Sequence, residues 1–282
     1  MVIDMHVHPI LFGPICEDKE KVEFRKQEFG LYKSSSIPMS QVMAGMDHAG
    51  VDKAVLLAED YSTEMGQPII SNEEVKLLVN LEPDRFIGFA SVDPRDCGAK
   101  EQLEQAFSEL KLSGLKLNLS HLQMYPDDKR LEPLLKLCVQ YKKPVMFHSG
   151  FSWEPDSPSK YGRPILYEDI AVEYPSLRFC LAHLGWPWID EMSMMLLKYP
   201  NVYTDTATVF MDSPANYYDQ IFMKNMDGNF SVWFRARKIL NRSECIFTDE
   251  EAGDRKVSCF LNLWIPFWSR HEFVCFLHRK IM

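Results

Sequence analysis

Residues 2–8 read VIDMHVH. The run is short, apolar and closed by two histidines, which predicts a buried strand carrying polar groups at its far end. Seven further runs of the same kind follow: Lys53–Ala58 (KAVLLA), Phe86–Val92 (FIGFASV), Leu115–Leu119 (LKLNL), Pro144–His148 (PVMFH), Arg178–His183 (RFCLAH), Val202–Ala207 (VYTDTA) and Cys245–Asp249 (CIFTD). Helical patterns lie between them, among them Gln102–Lys111, Leu131–Lys142, Glu168–Tyr174 and Asp190–Tyr199. Strand alternating with helix is the signature of βα units and a parallel sheet. Eight repeats predict an α/β fold, a closed (β/α)₈ TIM barrel, and the 282 residues slightly exceed its usual length of roughly 250.

The surplus has identifiable places within a single barrel domain spanning 1–282. Residues 10–38 contain the charge run EDKEKVEFRK, which reads as a solvated helix with a lid-like loop. Residues 208–240, rich in aromatics and Met, either cover the barrel mouth or pack as ordinary core. The tail 255–282 holds six aromatics and two cysteines around Pro266, without a strand-helix rhythm.

Composition narrows the function classes. At 46% hydrophobic and 25% charged residues the chain is globular, neither disordered nor fibrous. The net charge of −9, with scattered basic residues, argues against nucleic acid and for a small-molecule partner. Seven cysteines, without a C-x-x-C pair, suggest reduced thiols rather than a disulfide framework or zinc ribbon. The N-terminus lacks a basic region ahead of its apolar stretch, so it does not read as a signal peptide. No apolar run approaches the roughly 18 residues of a membrane span. A soluble, cytoplasmic protein with no membrane partner is expected.

Chemistry concentrates at the ends of the predicted strands. His6 and His8 lie two apart, so the strand period points both imidazoles to one face, the interior of a barrel. Asp4, two residues earlier, is expected on that face as a supporting carboxylate. His148, His183 and Asp249 close runs five, six and eight, at the C-terminal ends where barrel active sites are built. Five ligand-type groups converging on one mouth favour a metal over separate packing roles, and zinc suits this donor set. The glycines just beyond, Gly150 and Gly185, permit a positive φ or a close approach of substrate, though an ordinary βα turn uses them too.

Lys116 in run four has two readings. Facing inward, it meets a substrate carboxylate or becomes a carbamate bridging two metals; facing outward, it snorkels to solvent. Asp205 in run seven is expected to support a ligand histidine. Arg163, Trp186 and Trp188 fall on loops after runs five and six, where they either contact substrate or pack against neighbouring loops. His121 is a weaker candidate on a loop. Nucleophile-elbow, P-loop and dinucleotide signatures are missing, which leaves metal-assisted chemistry.

At these residues the sequence resembles the amidohydrolase superfamily, in its amidohydrolase-2 branch, which includes aminocarboxymuconate-semialdehyde decarboxylase and resorcylate-type decarboxylases. The resemblance is carried by IDMHVHP, AGVDKAVLLA, GLKL, PVMFHSG, LAHLGWPW and NVYTDTA, in order, over residues 1 to about 207. It implies a distorted (β/α)₈ barrel with one divalent metal, zinc or alternatively manganese, held by His6, His8 and His148. It further implies that His183 orients or deprotonates a metal-bound water, and that Asp249 binds the metal or shuttles a proton. At strand eight the chain reads IFTDEEAGD, whereas the resemblance expects Gly-[Ser/Thr]-Asp-aromatic-Pro. The implied activity is a metal-dependent hydrolase acting on a C–N or C–O bond of a small carboxylated or cyclic substrate. The alternatives are a non-oxidative decarboxylase of an aromatic or unsaturated acid, and a barrel that binds metal or ligand without turnover. A homodimer is expected by analogy only.

Overall fold

The computed structural model describes residues 2–205, Ala207 and the backbone of 239–240. Among them, eight parallel strands follow one another: β1 (Ile3–Val7), β2 (Lys53–Leu57), β3 (Phe86–Phe89), β4 (Leu115–Leu117), β5 (Val145–Phe147), β6 (Phe179–Leu181), β7 (Val202–Asp205) and β8 (Ile239–Leu240). They pair in chain order, β1-β2-β3 in one sheet and β4-β5-β6-β7-β8 in another, and a parallel bridge from Ala90 to Leu115 spans the junction. The helices are α1 (Lys19–Glu28), α2 (Met39–Ala49), α3 (Ser62–Met65), α4 (Asn72–Leu81), α5 (Ala99–Ser108), α6 (Glu132–Gln140), α7 (Glu168–Glu173) and α8 (Ile189–Lys198). None is long and apolar enough to cross a membrane.

The strands are buried on both faces, which explains their near-continuous apolar sequence. One face, with Ile3, Met5, Val55, Leu57, Phe89, Met146 and Cys180, forms an inner core. The other, with Ala54, Leu56, Leu115, Leu117, Val145, Phe147 and Leu181, joins the outer core beneath the helices. Local chemistry secures the outer layer. Ser71 and Glu74 form a reciprocal capping box that starts α4, and the Asp18 carboxylate caps α1.

Seven of the expected strand runs contain an observed strand. The expected eighth, Cys245–Asp249, lies outside the described residues, as does the tail 255–282; the strand beside β7 is Ile239–Leu240. The charge run of residues 10–38 does form a helix, α1, but it is not solvated throughout. Arg25 is 1% exposed and donates to the Ile69 and Ile15 carbonyls and to Glu74 Oε1, at 2.7, 2.8 and 2.5 Å. It anchors α1 to α4.

Two features of the strands position the site. Between Asp4 and Val7, β1 advances three residues while β2 advances from Ala54 to Leu56, so β1 carries a bulge. Asp4 therefore pairs with outward-facing Ala54, while Met5 and His6, neighbours in sequence, both reach the interior. In β4 to β7, register aligns Lys116, Met146, Cys180 and Tyr203 in one inward-facing row. The next inward position on β7 is Asp205.

Candidate metal centre

The side chains gather at the C-terminal ends of the strands. His6 comes from β1 and His8 from the residue after it, Glu59 from just beyond β2, Lys116 from β4, His148 from the residue after β5, His183 from just beyond β6, and Asp205 from the end of β7. The His6 and His183 ring centroids are 4.8 Å apart, His148 and His183 5.0 Å, and His6 and His8 5.0 Å. Among the described residues, His6, His183 and Asp205 each offer a ligand-type atom within 4.8 Å of one another.

Proton bookkeeping tells which nitrogens face the centre. His6 Nδ1 lies 2.8 Å from Asp205 Oδ2, and a carboxylate only accepts, so Nδ1 carries the proton and Nε2 is bare. His183 Nδ1 lies 2.6 Å from the Ala207 carbonyl oxygen, so the same logic leaves its Nε2 bare. Asp205 is saturated with donors: besides His6 it accepts the backbone N–H groups of His183 and Ala207 at 2.8 and 3.1 Å. Burial raises its pKa, yet the His6 and His183 interactions outweigh that and hold it well below the usual carboxylate range. Its carboxylate thus holds the His6 ring and the His183 backbone.

His8 Nδ1 faces Glu59 Oε2 at 3.4 Å, and Glu59 is 5% exposed. Burial opposes the ionisation of Glu59, but the charge and hydrogen bond of His8, with the charge of Lys116, bring its pKa down to about 2. Nδ1 of His8 thus faces an ionised carboxylate, while its Nε2 faces His6. His6 Nε2 lies 3.0 Å from His8 Nε2, so the bare lone pair of His6 is aimed at the second imidazole, where the two nitrogens can share a proton or be bound by one cation. His148 Nε2 is buried without a hydrogen-bond partner among the described residues. Burial pushes His6 and His148 well below the ordinary imidazole range and lowers His183, so these rings are neutral, as metal ligands must be. These residues fit a divalent metal.

Lys116 faces inward. It is 2% exposed, with Nζ 3.5 Å from His6 Nε2, and burial lowers its pKa against the opposing charges of Glu59 and Asp205. Trp186 meets Phe151 edge-on at 5.7 Å, and Phe151 meets Trp153 likewise at 5.2 Å, so an aromatic group stands on the loops after β5 and β6. His121 stacks on Tyr61 at 3.9 Å, on the β2 and β4 side.

One expectation is corrected. Asp4 does not share the face of His6, because the bulge turns it outward; its Oδ1 accepts the His6 backbone N–H at 3.1 Å and so satisfies a donor that the bulge removes from the ladder. Arg163 is half exposed and engaged by Glu191 Oε1 through Nε and Nη2 at 2.6 and 2.5 Å, which holds its guanidinium at the surface. Asp249 lies outside the described residues. Sequence reasoning missed Glu59; its signal was the same strand-end placement, in KAVLLAED, that singled out the histidines.

Residues 3–229 match the amidohydrolase family pattern, Amidohydro_2. The chain belongs to the amidohydrolase family. A 126-residue segment is 25% identical to protein fluG of Emericella nidulans, covering 39% of this chain and 14% of that protein. Among solved structures, the TIM-barrel protein Bb4693 of Bordetella bronchiseptica superposes with a TM-score of 0.62 at 20% identity, covering 84% of this chain and 83% of that one. The 4-oxalomesaconate hydratase LigJ of Rhodopseudomonas palustris gives 0.55 at 20% identity, covering 85% and 80%. The 2,6-dihydroxybenzoate decarboxylase of Rhizobium gives 0.51 at 15% identity, covering 84% and 85%. This amidohydrolase therefore has the TIM-barrel fold that the strand repetition predicted.

Proposed function

We propose that this amidohydrolase is a metal-dependent hydrolase acting on a C–N or C–O bond of a small carboxylated or cyclic substrate. The observation that carries the reading is the bare Nε2 of His6, 3.0 Å from His8 Nε2, beside the unpartnered Nε2 of His148. These three side chains would hold one divalent ion, zinc or manganese, with Asp249 a further ligand or proton carrier by family resemblance. When bound, the ion supplies Lewis-acid polarisation and lowers the pKa of water. The chain's own residues do the rest. His183, neutral and with Nε2 free, accepts a proton, and its Nδ1–H bond to Ala207 fixes the ring's orientation. Lys116 sits deep in the centre, where its ammonium pairs with a substrate carboxylate, and Trp186 walls the loops above.

A second reading, a metal-dependent decarboxylase of an aromatic or unsaturated acid, is favoured by the likeness to the dihydroxybenzoate decarboxylase together with the aromatic group around Trp186. Elemental analysis of the purified chain is expected to give about one zinc or manganese per chain, removable by chelation. The double variant His6→Ala/His8→Ala is expected to lose it while keeping a cooperative unfolding transition; metal retained by that variant sinks the assignment. A screen of carboxylated lactones, amides and aromatic acids then separates the two activities, since only decarboxylation releases carbon dioxide.

A further inference from the structure

The two histidines at the end of β1 are supported from opposite sides by different elements. His6 has Asp205 of β7, with Nδ1 at 2.8 Å from Oδ2. His8 has no comparable partner on β1 or β7; what faces it is Glu59, which follows β2 and lies 3.4 Å from Nδ1 through Oε2. Both atoms are buried and neither has a hydrogen-bond partner among the described residues. The other Glu59 oxygen is already engaged, since Tyr61 donates its hydroxyl to Oε1 at 3.2 Å. The Glu59 backbone is held too, in a reciprocal pair of backbone hydrogen bonds with Ile70 at 2.9 and 3.1 Å, and the Tyr61 ring is pinned under His121. A buried carboxylate tied at its backbone and at one oxygen has a single direction left for the other oxygen, and that direction is His8.

We propose that Glu59 is the positioning residue of His8, as Asp205 is of His6: it accepts the Nδ1–H of His8 and thereby turns a bare Nε2 toward the metal. The inference rests on the metal-centre reading above. Carboxylates behind ligand histidines fix the ring tautomer and raise ligand basicity, and their removal typically costs about 10 to 100-fold in metal affinity. Tyr61 serves the same end one step further out. Acting through His8, Glu59 has a role that is read in affinity and ring chemistry rather than in stoichiometry.

The test titrates zinc into the metal-free full chain by competition with a chromophoric chelator, for the parent, Glu59→Gln and Glu59→Ala. Glu59→Gln keeps an acceptor of the same length and is expected to lose about 10-fold in affinity, Glu59→Ala about 100-fold, both still binding one ion per chain. In parallel, nitrogen-15 spectra of the zinc-loaded parent are expected to show the slowly exchanging Nδ1–H of His8, assigned by its loss in His8→Ala, and Glu59→Ala is expected to lose the same signal. The Gln variant guards against a folding defect in the Ala variant. Parent-like affinity in both variants with the ring proton retained overturns the role of Glu59, while failure of the parent chain to bind zinc overturns the metal-centre reading itself.

Discussion

His183 and Leu184 adopt positive φ angles, 60° and 51°, a region that non-glycine side chains seldom enter. Each such residue costs about 1–3 kcal/mol, so the surroundings must hold it there. For His183 they do: its backbone N–H is bound to Asp205 and its ring to Ala207. The strain aims an uncharged Nε2 at the other imidazoles. Replacing His183 by Asn, which tolerates the left-handed region, is expected to leave metal content unchanged and to lower kcat by about 10²–10⁴, the usual contribution of a general base. An unchanged kcat on an identified substrate removes His183 from the mechanism. At this scale the strand-end histidines were legible because a strand end in a parallel barrel fixes where a side chain goes. Asp4 was not, because one inserted residue in β1 reverses its face, and a bulge leaves no mark in VIDMHVH. Glu59 carried the same strand-end signal but was passed over because a carboxylate just beyond a strand is ordinarily solvated; the contact with His8 distinguishes it.

The loops after β5 and β6 act as one unit, and Gly150 is their junction. At φ 86°, a Cβ on Gly150 would overlap the Trp186 carbonyl oxygen and approach the Gly185 carbonyl carbon to 2.9 Å. The close approach that this glycine permits is thus by backbone: Phe151 N–H donates to the Trp186 carbonyl at 2.6 Å, and Gly150 N–H to the Gly162 carbonyl at 2.8 Å. His148 and His183 stand at the roots of these two loops. Gly150→Ala is therefore expected to destabilise the chain by about 1–3 kcal/mol in urea denaturation, from backbone strain, and to weaken zinc binding by separating the two histidines. A parent-like midpoint would mean that the loops are not locked together. The charge run in α1 shows the limit of reading elements from composition. EDKEKVEFRK is a solvated face in every property that sequence displays, yet Arg25 turns inward because two carbonyls and Glu74 meet it there. Those partners come from residues 15, 69 and 74, and no local pattern foretells such a convergence.

Strand repetition made the fold class legible, with seven of the expected runs holding a strand: repeated βα units have few ways to bury a sheet on both faces. What repetition does not reveal is the electrostatic state of the centre, and that sets how the molecule responds to acid. His6, His148 and His183 are buried and neutral, with pKa values below the ordinary 6.5. Below pH 6.5 the unfolded chain therefore binds more protons than the folded one, and stability falls as pH falls. Glu59 contributes in a lower window: its pKa is about 2 when folded against 4.5 when unperturbed, so its stabilisation is complete above about pH 5 and is lost as pH falls toward 2. The metal-free chain should thus lose stability in two stages, the first between about pH 7 and 5, before the carboxylates protonate. A bound divalent ion reverses the first stage at neutral pH, because it occupies the bare Nε2 atoms; at a free concentration 100 times its Kd it adds about 2.7 kcal/mol. That gain shrinks below pH 6.5 as protons compete for the same lone pairs. Urea unfolding at pH 7.5, 6.0 and 5.0, with a chelator and with zinc, measures both effects. The expected result is a metal-free midpoint that falls at each step and a zinc increment that narrows alongside it. A metal-free midpoint that stays level from pH 7.5 to 5.0 would mean that the imidazoles are already protonated in the folded chain, a state in which they hold no metal.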